Sequence, residues 1–216
     1  MAMDKINPSV NITAAVRFDT EATVALKTLK QQLQTQTGID ARRLSRLSLI
    51  AALGGCLLRE RAEIKPDCAV YAATPFFSPS LFEKMADNVL NHHVAMPFDF
   101  IANLHNAPAF HTAQALGTGG ASLVIAADNR PESWHQIVQL AANSLNVGQQ
   151  IAVGWCYEQP PQSEQLQEGS IWILLERGGQ NGAELTLGVS DGISRPSENC
   201  YYWQGVADWL NRLNVL

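Results

Sequence analysis

Residues 104–127 read LHNAPAFHTAQALGTGGASLVIAA, and this segment is the most informative about the fold. Its first part predicts a helix over about residues 109–116, and SLVIAA at 122–127 is an apolar run of strand length. Between them lies the run Gly-Thr-Gly-Gly at 117–120. A phosphate loop follows a strand and opens a helix, whereas these glycines follow a helix and open a strand. We therefore predict that they form a helix C-cap and a tight turn.

The alternation of helix and strand continues on both sides of this stretch. Apolar runs of strand length occur at residues 10–18, 68–74, 151–157, 170–177 and 184–190. Helices are predicted over about residues 21–34, 40–61, 78–89, 132–145 and 203–213. Nearly continuous apolar strands separated by helices indicate an α/β fold with a largely parallel sheet covered on both faces. The last two strands look antiparallel, and we expect one domain, residues 1–216.

Composition and charge argue against several classes of protein. The chain has 216 residues, of which 46% are apolar, and its apolar blocks are too short to span a membrane. The first ten residues carry no apolar segment behind their single lysine, so we expect no secretory signal and a cytoplasmic protein. A formal net charge of −5 offers no large positive field for nucleic acid.

The residue types that most often perform chemistry do not form a recognisable site. Four of the five histidines are candidate metal ligands, but they lack the spacing that places two ligands on one helical face: His92, His93, His105 and His111. No Gly-x-Ser-x-Gly elbow is present, and no carboxylate pair stands out at a strand end. We expect neither a metal nor a cofactor. The cysteines at 56, 68, 156 and 200 show no C-x-x-C spacing and are predicted to be reduced thiols, mostly buried.

One cysteine is nevertheless a candidate nucleophile. Cys156 ends a predicted strand beside Trp155 and Tyr157, where a thiol used together with His105 or His111 would support acyl transfer or hydrolysis. Free cysteine is more often a small buried hydrophobic residue. An independent enzyme that uses Cys156 stays open as an alternative.

Several segments, in order, resemble the N-terminal half of a β-ketoacyl synthase of the thiolase-like superfamily. RRLSRLSLIAALGGCLL at 42–58 is similar to the arginine-rich helix before the family's second strand, and CAVYAAT at 68–74 is similar to that strand. Residues 104–127 resemble the segment that leads into the strand before the nucleophile. IAVGWCY at 151–157 and EGSIWILLE at 168–176 resemble the last two strands. The resemblance implies a three-layer, thiolase-like half-fold, in which a mixed, mostly parallel sheet of five strands has helices on both faces.

The sequence departs from this family at the active site. The family's nucleophilic cysteine aligns with Asn129, beside Asp128, and neither side chain forms an acyl thioester. The sequence also ends where the family's second half, with its two catalytic histidines, would begin. The resemblance therefore implies a non-catalytic subunit similar to the chain-length factor of type II polyketide systems, with the short form of the aryl polyene pathway as the favoured match. A subunit of this kind could also act in a related, fatty-acid-like biosynthetic pathway.

The family also implies a partner and an interface. A chain-length factor forms a heterodimer with an active β-ketoacyl synthase, and the strand before the nucleophile pairs across the dimer axis. The corresponding interface residues here are Ser122, Leu123, Val124 and Ile125. An apolar strand without charge or proline is a liability as an exposed edge, which agrees with this role. Residues 98–104 would reach toward the partner's acyl tunnel, so the channel and interface residues expected next to this strand are Phe98, Phe100, Leu104, His105 and Asn106.

Two further interpretations stay open. An acidic acyl carrier protein would meet the only basic cluster, Arg42, Arg43 and Arg46, although charged residues on an amphipathic helix usually form its solvated face. Alternatively, the chain is a remnant of a ketosynthase that self-associates and has no acyl role. In that case no ketosynthase co-purifies with it.

Overall fold

The computed structural model describes residues 9–127, 131–178, 182–185 and 204–216. Its strands are β1 Val10–Glu21, β2 Ala69–Thr74, β3 Ser122–Ala126, β4 Gln150–Tyr157, β5 Gln167–Arg177 and β6 Ala183–Glu184. Its helices are α1 Leu26–Thr37, α2 Arg46–Arg61, α3 Pro79–Leu90, α4 Pro97–Ala102, α5 Ala107–Leu116, α6 Pro131–Ser144 and α7 Gln204–Arg212.

The strands form one mixed sheet in the order β3-β2-β4-β5-β1-β6. β2 is parallel to both of its neighbours, β3 and β4, whereas the pairs β4 with β5, β5 with β1 and β1 with β6 are antiparallel. The predicted α/β class with helices on both faces is confirmed. The sheet has six described strands instead of five, and its parallel part is confined to β3, β2 and β4. Most of the strand predicted at 184–190 lies outside the described residues.

Two predicted helices begin later than expected. The antiparallel ladder between β1 and β5 continues until Glu21 lies opposite Gln167, so α1 starts only at Leu26. α2 starts at Arg46 rather than near residue 40, because the Ser45 hydroxyl accepts the backbone N–H of Ser48 and caps the helix there. The short helix α4 lies in a stretch that shows no regular pattern in the sequence.

The layer on one face of the sheet is built around α2. Twelve of its sixteen residues are buried, and α1 and α5 pack beside it. A methyl group at Gly54 would overlap Ser170 and Trp172 of the sheet, and one at Gly55 would overlap Thr112 of α5. Because neither glycine has a side chain, α2 packs closely against the sheet at Gly54 and against α5 at Gly55.

The opposite face of the sheet is covered by α6 and α7. Trp134 of α6 and Trp209 of α7 are buried in one cluster with Trp155 of β4. The indole N–H of Trp155 donates to the carbonyl of Trp134 at 3.3 Å, and the Trp155 and Trp209 ring centroids are 6.4 Å apart. These contacts complete the three-layer arrangement in the described part of the chain.

The glycine run after α5 forms the predicted helix end. Gly117 is the C-cap of α5 with φ of 74°, in the left-handed region that favours glycine. The Thr118 hydroxyl donates to the carbonyl of Cys68 at 2.6 Å, which joins this turn to the start of β2. The structure therefore confirms a cap and turn here. Within the described ranges, no helix has both the length and the apolarity needed to cross a bilayer.

Candidate functional site

Two consecutive helices, α3 and α4, have no buried residue. Most of their larger apolar side chains, and those of the loop between them, are exposed instead, with Leu90 at 71% and Phe100 at 62%. We call seven of these exposed side chains the α3–α4 surface: Phe82, Val89, Leu90, Val94, Met96, Phe100 and Ile101. Such a concentration of exposed apolar side chains is typical of an interaction site.

The α3 helix is held to the sheet by polar contacts at its N-terminus. Glu158, directly after β4, accepts the Ser78 hydroxyl at 2.7 Å and the backbone N–H of Ser80 at 3.0 Å, and it also accepts the Ser80 hydroxyl. Asn103, directly after α4, accepts the backbone N–H of Ser78 through Oδ1 at 3.1 Å. Glu158 is fully buried, and this burial raises the pKa of its carboxyl. One buried carboxylate therefore fixes the start of an otherwise exposed helix.

The three residues expected to shape an acyl channel line three different depressions of this chain. Phe100 lines an apolar groove together with Met85, Val89 and Met96. Phe98, two residues earlier on α4, lines a separate cleft toward α1. Leu104 lies in a small depression with Phe77 and His105. The chain by itself thus does not bring the three side chains into one channel.

The cleft that Phe98 lines has a volume of about 680 Å³ and lies between α1, the α1–α2 loop, α3, α4 and the β4–β5 loop. The Arg43 guanidinium lies over the Phe98 ring, 3.9 Å from its centroid. The Lys30 ammonium donates to the carbonyl of Arg42 at 2.5 Å, and Lys84 pairs with Asp99 at 2.8 Å. We call this the cationic cleft, because basic groups and apolar side chains share its walls.

The predicted cluster of three arginines is not a single binding surface. Arg46 is buried and forms an ion pair with Glu168 at 2.6 Å, while its other nitrogens donate to the carbonyls of Val24 and Glu21. Arg42 is exposed and pairs with Asp40 at 2.6 Å. Only Arg42 and Arg43 are therefore accessible to a partner, and the expectation for Arg46 is wrong because its charge is used inside the protein.

The predicted interface strand is an edge of the sheet, since β2 is its only neighbour in the described part of the chain. Val124 is buried in the cluster beneath α5, and the side chains of Ser122, Leu123 and Ile125 are half-buried. This edge carries no charge or proline that would oppose the addition of another strand. His105 and Asn106 are exposed, and the His105 ring packs edge-on against Phe77 at 5.4 Å between centroids.

The position of the family's nucleophile, Asp128 and Asn129, lies outside the described residues. Cys156 is described, and the structure does not support it as a nucleophile. Its thiol is fully buried in an apolar cluster, and this burial raises its pKa. A thiol with a raised pKa is protonated and inert at neutral pH. Cys68 is also buried, which raises the pKa of its thiol to about 11.

The histidines proposed to assist Cys156 have other surroundings. His105 contacts Phe77, and the Nδ1 atom of His111 lies 2.9 Å from the Gln114 side-chain oxygen. Neither histidine has a hydrogen bond to Cys156. Across the described residues, no group of three or more His, Cys, Asp or Glu side chains has an arrangement that would hold a metal ion.

Sequence reasoning missed two carboxylates that the structure places at adjoining strand ends. Glu158 follows β4 and Glu168 lies near the start of β5, and burial raises the pKa of both. The Glu158 carboxylate accepts hydrogen bonds from serine groups. The Glu168 carboxylate accepts hydrogen bonds from the Arg46 guanidinium and from the backbone N–H of Gln159. Both glutamates lie beside strongly apolar runs, and this position in the sequence could have indicated that they are buried. Their oxygens are used by the protein itself, so they position α3 and α2 rather than perform chemistry.

No protein-family model matches the sequence, and no curated protein matches it. Solved structures do match the fold. A ketosynthase (ApeO) in complex with its chain length factor (ApeC) from Xenorhabdus doucetiae matches over 80% of this chain and 80% of that chain, with 15% identity and a TM-score of 0.55. The ishigamide ketosynthase/chain length factor matches over 78% of this chain and 62% of that chain, with 12% identity and a TM-score of 0.59.

A third solved structure contains a further component. The complex AntDE:AntF, described as a type II polyketide synthase acyl-carrier protein with its ketosynthase bound to the hexaketide, matches over 80% of this chain and 63% of that chain. Its identity is 12% and its TM-score is 0.54. At such low identities, the likeness concerns the fold. The chain has the thiolase-like α/β fold that is found in ketosynthase and chain length factor complexes.

Proposed function

We propose that this chain is a non-catalytic, ketosynthase-like subunit, a chain-length factor, that pairs with an active β-ketoacyl synthase and helps to shape its acyl channel. The proposed setting is type II polyketide synthesis, and the aryl polyene pathway is the favoured branch. Two of the solved structures that share its fold contain ketosynthases with chain length factors. The match to the ApeO–ApeC structure covers the same fraction of both chains, so the matched chain is about as long as this one.

The observation that carries the proposal is the α3–α4 surface. The side chains of Leu90, Phe100 and Ile101 are more than half exposed in this chain, and Met85 and Met96 complete an apolar groove beside them. Removing such side chains from water stabilises an interface by roughly 25 cal/mol for each Å² of apolar surface. A partner that covers this surface would therefore gain a strong apolar contribution to binding.

The sheet edge supports the same proposal. The strand β3 presents an unpaired edge in the described part of the chain, and Leu123 and Ile125 are only half-buried there. Strand addition at such an edge satisfies backbone hydrogen bonds and covers apolar side chains together. The non-catalytic part of the proposal rests on Asn129 at the family's nucleophile position and on the inert environment of Cys156.

The test is co-expression of this chain with the ketosynthase encoded beside it, followed by size-exclusion chromatography with light scattering. We expect a stable one-to-one heterodimer. Phe100→Asp should abolish the complex, because it places a charge in the apolar contact. Val147→Asp is the matched control, since Val147 is an exposed apolar residue in the loop between α6 and β4. A monomer beside an unaffected ketosynthase would contradict the proposal, and a homodimer would favour a self-associating remnant.

We also propose that an acyl carrier protein binds transiently to the same heterodimer. One structure with this fold contains an acyl-carrier protein bound to its ketosynthase. In this chain, the accessible basic residues of the predicted cluster are Arg42 and Arg43. Substituting both with glutamine should weaken carrier-protein binding to the heterodimer, and it should leave the heterodimer itself intact.

A further inference from the structure

The cationic cleft contains more positive than negative charge. Its basic lining residues are Lys30, Arg42, Arg43, Arg46 and Lys84, and its acidic ones are Asp99 and Glu168. Three of the cations are ion-paired, Arg42 with Asp40, Arg46 with Glu168 and Lys84 with Asp99. Within the described residues, the other two form no ion pair.

These two cations, Lys30 and Arg43, have their charges only partly compensated. The Lys30 ammonium donates one hydrogen bond to a carbonyl, which leaves its other donors for a ligand. Partial burial lowers the pKa of Lys30, and repulsion from Lys84 adds to this effect. The Arg43 guanidinium rests on the face of Phe98, where its edge N–H groups stay available. Attraction to Asp40 opposes this repulsion with a smaller effect, so an anion bound at Lys30 would offset the repulsion from Lys84 further.

Apolar side chains form a large part of the remaining wall of the cationic cleft, beside neutral polar residues such as Thr23 and Gln165. Leu26 and Leu166 are 40% and 46% exposed, and Phe98 is 53% exposed, although all three face a concave site. Leu44 and Leu81 line the cleft as well. The volume of about 680 Å³ lies within the range of about 300–1,000 Å³ that is usual for small-molecule sites. A small inorganic anion would leave this apolar wall in contact with water.

We propose that the cationic cleft binds an amphipathic anion, a carboxylate or phosphate head group on a hydrocarbon chain. Lys30 and Arg43 bind the head group through charge-assisted hydrogen bonds, and Leu81, Phe98 and Leu166 contact the hydrocarbon chain. This site belongs to the chain itself and does not depend on pairing with a ketosynthase, so the two proposals fail separately.

The test is isothermal titration calorimetry of the full chain with octanoate, octyl phosphate, 1-octanol and acetate. We expect octanoate or octyl phosphate to bind at least about tenfold more tightly than 1-octanol or acetate, because both head and chain contribute. The tighter of the two anions identifies the head group. Equal binding of 1-octanol, equal binding of acetate, or no binding of either amphipathic anion at millimolar concentration would overturn the proposal.

Two matched variants locate the site. Lys30→Met should weaken binding of the amphipathic anion about tenfold, whereas Lys27→Met should leave it unchanged within about twofold. Both lysines lie on α1, but Lys27 does not line the cleft. Circular dichroism checks that each variant is folded. Equal effects of the two substitutions would show general charge attraction instead of a site, and would also overturn the proposal.

Discussion

The carboxylate of Glu158 accepts the hydroxyl hydrogen of Ser78 at 2.7 Å, and this bond joins the end of β4 to the start of α3. It matters because α3 has no buried residue of its own, so ordinary core packing does not determine where the helix lies. The orientation of the α3–α4 surface therefore depends on polar contacts at one end of the helix.

Ser78→Ala should destabilise the protein and weaken the proposed heterodimer. The substitution removes one donor from a buried carboxylate, which costs about 1–3 kcal/mol in the free energy of unfolding. Urea unfolding measures this cost. Ser144→Ala is the control, because the exposed Ser144 hydroxyl bonds only to the carbonyl of Leu140 within its own helix. Equal stability losses in the two variants would argue against the anchor.

Glu158→Gln should change how stability depends on pH. Burial raises the pKa of Glu158 in the folded protein, so the folded state holds this proton more tightly than the unfolded chain does. The stabilisation from the protonated carboxyl is complete below the unfolded pKa of about 4.3 and is lost as the pH rises through the folded pKa. Glutamine does not titrate, so the variant should gain stability relative to the wild type across this window. Urea unfolding at several pH values measures the difference, and a constant difference would contradict the prediction.

Arg46→Met should be strongly destabilising, although Arg42→Met should not be. The first substitution leaves Glu168 buried without its counter-charge, which costs about 3–5 kcal/mol. Arg42 pairs with Asp40 at the surface, where solvent screens both charges, so the loss of this pair should have little effect on stability. Denaturant unfolding of both variants measures the contrast. Similar losses would mean that the burial of Arg46 does not matter for stability.

Gly54→Ala should lower stability by about 1–3 kcal/mol, against the usual gain from alanine in a helix. The added methyl group would overlap Ser170 and Trp172, so α2 would have to move away from the sheet. Gly119→Ala is the control, because a methyl group there meets only the Pro66 carbonyl at 3.9 Å. The midpoint of thermal unfolding measures both effects, and a stabilised Gly54→Ala variant would show that this close approach is not required.

Cys156 should be unreactive in the folded protein. Its thiol is buried in the core and its pKa is raised, so iodoacetamide at pH 8 should label it only after denaturation. Mass spectrometry of labelled peptides measures the modification at this position. Cys156→Ala should leave product formation by the pathway unchanged. Rapid labelling of the native protein together with loss of product in the variant would restore the enzyme hypothesis.

The helices and strands that depend on a local residue pattern could be predicted from the amino-acid sequence. The apolar runs that became β2 and β4 predicted buried strands, because a strand covered on both faces needs apolar side chains at nearly every position. The glycine after α5 predicted the helix end, because the left-handed conformation of Gly117 favours that residue type. These signals lie within a few residues of the element that they specify.

Contacts between residues that are distant in sequence became visible only in the folded chain. Arg46 and Glu168 are 122 residues apart, and their ion pair turns a predicted surface charge into a core contact. Phe98 and Phe100 are close in sequence, yet α4 directs them into different depressions, and Arg43 of the α1–α2 loop joins Phe98 in the cationic cleft. Side-chain charge and burial at these positions depend on the packing of distant segments, which no local pattern records.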